Sequence, residues 1–301
     1  MVSQKGSDSA MIKRTFGERV FDVFNVILMI LLSIITLYPI YYVLVASFSS
    51  PDEIISHSGV LLWPKTFDFT SYKLILQYPM FFTSYKNTLI YVVAGTAINM
   101  IMTILGGYSL SRKGVPGSKV VMMAITFTMF FSGGLIPRYL LVQSLGLMDT
   151  MWAVLLPTAI ATTNLIIMRT SFAGLPDSLE EAAKIDGAND FQVLIKVMLP
   201  MSMATIAVMT LFYAVSHWNE FFNPMIYLKT REKFPLQVLL RELLITNSTD
   251  NLMQDVNDDK AMIAQVIKYS TIIVSTLPIL VVYPFLQRYF TKGVMIGAIK
   301  G

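Results

Sequence analysis

Glu180-Glu181-Ala182-Ala183, with Asp186-Gly187 and Val197-x-Leu199-Pro200 following, is the segment of this chain whose residue types and spacing most invite chemistry. The chemistry is recognition. The acidic pair stands at the start of a short helical run, near the positive end of a helix dipole. Asp177 with Glu180 three residues later reads as a capping box that opens this helix. Gly187 fits a left-handed stop, and Asn189 with Gln192 opens a second helix. Ala182, Ala183 and Ile185 give a small, partly apolar face that another protein can approach closely. The pattern is a helix, a glycine turn and a second helix: either a docking element that moves with a partner's cleft, or an ordinary solvated loop.

Other reactive constellations are missing from the sequence. There is no cysteine, hence no disulfide framework, thiolate nucleophile or cysteine metal site. The two histidines, His57 and His217, are far apart in sequence, which argues against a histidine-built metal centre. The apolar windows hold no paired carboxylates, HExxH or GxSxG.

The elements that position the acidic segment are membrane helices. Of 301 residues, 54% are hydrophobic and only 14% charged, against about 25% charged in soluble domains. A crossing helix needs roughly 20 mostly apolar residues. Six windows free of Asp, Glu, Lys and Arg place helices near 23–47, 85–110, 119–138, 150–170, 200–222 and 265–288. The expected fold is therefore all-α: a polytopic membrane protein with six transmembrane helices. Lys13, Arg14 and Arg19 precede the first span, Arg112, Lys113 and Lys119 fill the short loop after the second, and Arg169, Lys184 and Lys196 lie between the fourth and fifth. This bias puts both termini and the 171–199 segment in the cytoplasm. The net charge of +4 is read as topology, not as nucleic-acid binding. The organisation is a cytoplasmic or interfacial segment 1–22, a six-helix transmembrane domain 23–290 with external loops 48–84 and 223–264, and a cytoplasmic tail 291–301. The residues before the first span either lie flat in the interface or simply continue the helix. Pro39, Gly106-Gly107, Gly133-Gly134, Pro157, Pro278 and Pro284 mark kinks, close packing or a moving site.

The Glu-Ala-Ala…Gly…Val-x-Leu-Pro spacing resembles the EAA loop of ATP-binding-cassette importer permeases, departing only at Val197, where the family usually has isoleucine. The order of spans and the tail Arg288-Tyr289-Phe290-Thr291-Lys292-Gly293-Val294 through Ala298-Ile299-Lys300-Gly301 resemble the carbohydrate-uptake branch, which includes the second permease of the maltose transporter. Within that branch the chain is most similar to permeases for complex oligosaccharides and polysaccharide fragments. The resemblance covers nearly the whole chain from about residue 12. It implies a heteromeric importer in the bacterial cytoplasmic membrane, with a homologous second permease, an ATPase dimer, an extracytoplasmic substrate-binding protein and an oligosaccharide cargo. ATP and magnesium would belong to the ATPase; this chain would carry no cofactor and no catalytic residue. Glu180, Glu181, Ala182, Ala183, Asp186 and Gly187 would form the ATPase-coupling element, with Glu181 meeting a basic residue of the ATPase. Thr291, Lys292 and Gly293 would reach between the ATPase subunits. Asn247, Ser248, Thr249 and Asp250 would meet the binding protein, or form a mobile loop tip.

A sugar path needs hydroxyl-matching groups and aromatic faces at membrane depth. Thr162, Thr163 and Asn164, with Tyr213, Ser216, His217, Trp218, Asn219 and Glu220, are the candidates; interhelical hydrogen bonding is their plainer role. Tyr213 and Trp218 either stack on sugar or anchor at the headgroup level. Arg138, Lys229, Arg231, Lys233 and Arg241, near the outer mouth, permit an anionic cargo such as uronic-acid oligomers or glycerol phosphate. A proton-coupled secondary transporter is the rival from another class. It usually buries an ionisable residue mid-span, and the six windows hold none apart from His217 near one end.

Overall fold

The computed structural model describes residues 15–56, 59–245, 267–281 and 284, and every regular element among them is helical. Helix α1 (Phe16–Ser47) is continuous over 32 residues. The Thr15 N–H donates to the Glu18 carboxylate at 2.7 Å and fixes its start. The polar lead-in from Phe16 is thus a continuation of the first helix. Its most apolar stretch is not buried by any of the described residues. A helix apolar on all sides belongs in lipid or against another membrane chain. Its C-terminal turns dock: Val45 and Ala46 pack onto Ile54 and Leu61, Tyr42 lies edge-on to Tyr269, and the Tyr38 hydroxyl accepts from the Leu61 N–H at 3.2 Å.

Two short helices, α2 (Pro51–Ser56) and α3 (Thr70–Gln77), occupy part of the segment expected to be external loop. Helix α4 (Pro79–Ser111) begins six residues earlier than the window suggested, because Pro79 takes the first helical position, where its missing N–H costs nothing. It is the central helix and packs most extensively against α12 and α8, introduced below.

The three remaining internal spans depart from single straight helices. Helices α5 (Ser118–Phe130) and α6 (Leu135–Ser144) replace the span expected near 119–138 and diverge by 117°. Gly134, at φ +86° and ψ −179°, supplies a backbone conformation open to glycine alone. The span expected near 150–170 is α7 (Met151–Leu155), a tight turn at Leu156–Thr158 containing Pro157, and α8 (Thr162–Ala173), bent by 50°. After α9 (Asp177–Ile185) and α10 (Asp190–Val193) come a widened turn at Leu194–Met198, α11 (Leu199–Met201) and α12 (Met203–Asn219). The last bend is 85°, so the fifth span begins at Met203 and ends at Asn219 instead of running 200–222. Pro200 has no N–H to give to the ladder, and the widened turn before it absorbs the loss. Then follow α13 (Phe222–Tyr227), a turn at Arg231–Lys233, α14 (Leu236–Ile245) and α15 (Ile267–Val281), which lies within the expected 265–288. Among the described residues, α1 and α4 alone are each long and apolar enough to cross a bilayer; the three bent pairs are broken spans or re-entrant segments.

The main core joins α4, α8, α10 and α12 through Met100, Tyr108, Met168, Phe172, Val193, Met198 and Met209. Glycines let these helices approach. A Cβ on Gly107 would lie 3.0 Å from Met168 Cγ and 3.2 Å from the backbone nitrogen of Arg169. Elsewhere large apolar side chains stay exposed, among them Ile34, Leu37, Val120, Met123 and Phe127. Rows of this kind are solvated by lipid or covered by a second membrane chain.

Candidate functional site

The break between the Leu156–Thr158 turn and α8 frees backbone groups that a continuous helix would satisfy. Two other helices take them up. Asn99 of α4 donates its amide to the Thr158 carbonyl at 2.6 Å. The Ala161 N–H donates to the Tyr213 hydroxyl of α12 at 3.2 Å, and that hydroxyl lies 2.7 Å from Thr103 Oγ1. With its amide nitrogen committed, Asn99 accepts through Oδ1 from His217 Nε2 at 2.5 Å. The imidazole fits because residue 95 is glycine: a Cβ there would fall 2.5 Å from His217 Nε2.

A cavity of 300 Å³ opens at this break. Asn99 of α4, Asn164 of α8, Tyr213, Ser216 and His217 of α12, and Glu220 just beyond line it. Irregular backbone at membrane depth is tolerated where it is buried in protein or lines a water-filled space, and broken helices often mark where a transported solute binds. Amide, hydroxyl and carboxylate groups on one wall suit the donors and acceptors of a polyhydroxylated solute.

The acidic segment is built differently from its sequence pattern. Pro176 occupies the N-cap of α9, and Asp177 is the first helical residue, so the Asp177–Glu180 capping box does not form. Both carboxylates have stronger attractions. Asp177 pairs with Lys113, and Glu180 pairs with Arg112 and, at 2.9 Å, with Lys184. Burial pushes the Glu180 carboxyl up, but the Lys184 and Arg112 hydrogen bonds outweigh it and hold the group below its ordinary range. The Lys113 hydrogen bond lowers Asp177, and its counterpart raises Lys113. Lys184 is also raised, first by Glu180 and then by Asp190, 3.2 Å away across the turn. Gly187 turns the chain at φ +83°, and Asn189 with Gln192 forms a two-way capping box at 2.9 Å in each direction.

Arg112 is the junction. Its guanidinium lies over the Tyr108 ring at 5.1 Å, donates to the Phe172 carbonyl at 3.2 Å and pairs with Glu180. It thereby ties α9 to the ends of α4 and α8, while Ala183 and Ala188 pack onto the main core. What remains outward is Glu181, Ala182, Ile185, Asp186 and Gly187, all exposed. Ile185 is 86% exposed, an apolar side chain that none of the described residues covers.

Of the path candidates, Asn164, Tyr213, Ser216 and Glu220 line the cavity; Thr162, Thr163, Trp218 and Asn219 do not. Trp218 packs among Leu236, Leu240 and Ile267, edge-on to Tyr85, and Asn219 donates to the Val215 carbonyl. Asn99 and Thr158 line the cavity as well and escaped the sequence reading. An amide midway along the apolar 87–111 window was the available signal for Asn99. Asn247, Ser248, Thr249 and Asp250, with Thr291, Lys292 and Gly293, lie outside the described residues.

Residues 104–296 match the family described as binding-protein-dependent transport system inner membrane component. The chain is 40% identical over 284 residues to the polygalacturonan/rhamnogalacturonan transport system permease protein YtcP of Bacillus subtilis (strain 168), covering 94% of this chain and 99% of the relative. It is 41% identical over 283 residues to the protein LplC of the same organism, covering 94% and 96%. Among solved structures it is similar to a chain of a bacterial ABC transporter involved in the import of the acidic polysaccharide alginate. That match has a TM-score of 0.84 at 34% identity and covers 92% of this chain and 99% of the other.

Proposed function

This chain belongs to the binding-protein-dependent transport system inner membrane component family, and we propose that it forms one half of the pore of an ATP-driven importer for oligosaccharides or polysaccharide fragments. A homologous permease supplies the other half, an ATPase dimer binds the cytoplasmic face, and an extracytoplasmic binding protein delivers the cargo. The chain lies in the bacterial cytoplasmic membrane with both termini inside. ATP hydrolysis belongs to the assembled complex through its ATPase; this subunit contributes the path and the coupling element.

One observation carries the reading. Through Arg112, the exposed helix α9 is fastened to the ends of α4 and α8, and these two helices present Asn99 and Asn164 to the polar cavity. A partner that grips Glu181, Ala182 and Ile185 and shifts α9 as a body pulls on the helices that shape the cavity. Helix ends move together when charged and packed contacts lock them, and packed cores switch between discrete arrangements. The names of the relatives support a saccharide cargo: polygalacturonan/rhamnogalacturonan for one, alginate for another.

The test is ATP hydrolysis by the reconstituted complex with its binding protein across neutral and acidic oligosaccharides. Stimulation by one glycan class is expected. An intact complex with a loaded binding protein that no glycan stimulates would remove the saccharide reading, and uptake that follows a proton gradient without ATP would replace the class.

A further inference from the structure

A second cavity, of 480 Å³, lies away from the broken span, between Phe221, helix α14 and helix α15. Its volume falls within the range of about 300–1,000 Å³ typical of ligand clefts. Gln237, Leu240 and Arg241 come from α14; Thr271, Ile272 and Ser275 come from α15. Two features of this wall are unusual. Arg241 is held in place: its guanidinium lies 5.1 Å above the Phe221 ring and donates to Met225 Sδ at 2.9 Å. Neither partner is an anion, and no carboxylate among the described residues pairs with it. The neighbouring Glu242 is engaged by Arg231 at 2.7 Å. The second feature is Thr271, which is 1% exposed and whose Oγ1 has no hydrogen-bond partner among the described residues.

A buried hydroxyl without a partner is destabilising unless something answers it, and the half-buried Arg241 guanidinium is held at the cavity with no counter-charge among the described residues. A planar guanidinium with one nitrogen and its face already engaged still offers donors in the fork geometry that matches a carboxylate. Gln237 and Ser275 add amide and hydroxyl groups around the same space, and Leu240 and Ile272 give apolar surface for the carbon face of a sugar ring.

We propose that this cavity is a subsite for a uronate residue of the incoming oligosaccharide, with the carboxylate on Arg241 and the hydroxyls on Gln237, Thr271 and Ser275. The proposal rests on the saccharide-importer reading and narrows its cargo to acidic glycans. The two acidic-glycan relatives, polygalacturonan/rhamnogalacturonan and alginate, agree with that charge. The site is built on α14 and α15, whereas the polar cavity is built on α4, α8 and α12, so the subsite selects on entry without sharing residues with the path.

The experiment uses the complete importer in nanodiscs with its binding protein. Stimulated ATP hydrolysis and uptake are measured for a galacturonate oligosaccharide and for its neutral methyl ester, in wild type, Arg241→Gln and Arg241→Lys. Assembly of each variant is checked by the subunit stoichiometry recovered in the nanodiscs. The expected result is that Arg241→Gln raises the half-maximal concentration for the acidic oligosaccharide about tenfold, the scale of one charge-assisted hydrogen bond. The methyl ester should be unaffected, and Arg241→Lys should recover part of the loss. Equal losses for both cargoes would assign Arg241 a structural role and overturn the subsite. Wild-type response to the acid with Arg241→Gln indifferent would overturn the subsite while leaving the importer reading intact. Failure of wild type to respond to either cargo would overturn both.

Discussion

Arg112 and Glu180 form an ion pair in which the side chains are 15% and 16% exposed, and it is the main charged link between helix α9 and the membrane helices. Exposed ion pairs are worth little, but this one is largely screened from water and the guanidinium is braced on three sides. Arg112→Ala or Glu180→Gln should therefore weaken the anchoring of α9 by about 1–3 kcal/mol, the worth of a hydrogen bond to a charged group. Saccharide-stimulated ATP turnover should fall in the assembled complex while basal turnover persists. The exchange Arg112→Glu with Glu180→Arg should recover part of the coupling. Full coupling in both single variants would show that α9 is held by packing alone.

Gly187 has open space around it, so any effect of substitution there is a backbone effect. At φ +83° a β-branched side chain costs roughly 1–2 kcal/mol, and asparagine costs less because it tolerates the left-handed region. Gly187→Val should raise hydrogen exchange across 177–190 and reduce uptake, with Gly187→Asn close to wild type. Equal behaviour of the two variants would mean that the turn geometry is not what matters.

Gly95 tests the cavity from the opposite direction. Alanine there would collide with the His217 ring, at 2.5–2.8 Å to three ring atoms. Overpacking of this kind costs typically about 1–3 kcal/mol. Gly95→Ala should push His217 off Asn99, lower the thermal stability of the complex and cut transport. Pairing it with His217→Ala should restore stability but not transport. A stable, fully active Gly95→Ala complex would show that α4 and α12 have slack at this point.

Asp149 gives a pH signature outside the membrane. Lys233 and Thr230 hydrogen bonds, with the Thr230 and Lys229 backbone N–H groups, hold its carboxyl well below the usual carboxylate range. A depressed folded-state pKa means that the unfolded chain binds the proton first as pH falls. The stabilisation is thus fully present above about pH 4–5 and shrinks as pH drops further. Thermal unfolding of wild type and Asp149→Asn should differ by a constant amount near neutral pH and converge in acid. A difference that persists unchanged below pH ~3 would assign the effect to something other than the charge.

The parts legible in the sequence were those set by local rules. Charge-free windows located the apolar segments, Gly187 announced its left-handed turn and Asn189-x-x-Gln192 its capping box, because each signal lies within a few residues. The bends of 117° and 85° were not legible, since hydropathy carries no direction; Gly134 and Pro200 marked the places but not the angles. Glu180 read as the capping-box partner of Asp177 because its ion-pair partner Arg112 lies 68 residues away, and that attraction dissolved the expected box. Trp218 and Asn164 were equally plausible path residues by type. Only the rotation of α12 and α8 in the packed bundle turns Asn164 into the cavity and Trp218 away from it.

The most direct test uses the absence of cysteine, which leaves a silent background for crosslinking. Ala182→Cys, on the exposed face of α9, is combined with single cysteines lining the cleft of the ATPase partner, and disulfide formation is followed with and without ATP. The expected result is a nucleotide-sensitive crosslink confined to that cleft, lost when Glu181→Lys is added. Crosslinks equally strong to positions scattered over the ATPase surface, or none in an assembled and active complex, would contradict the docking role of α9.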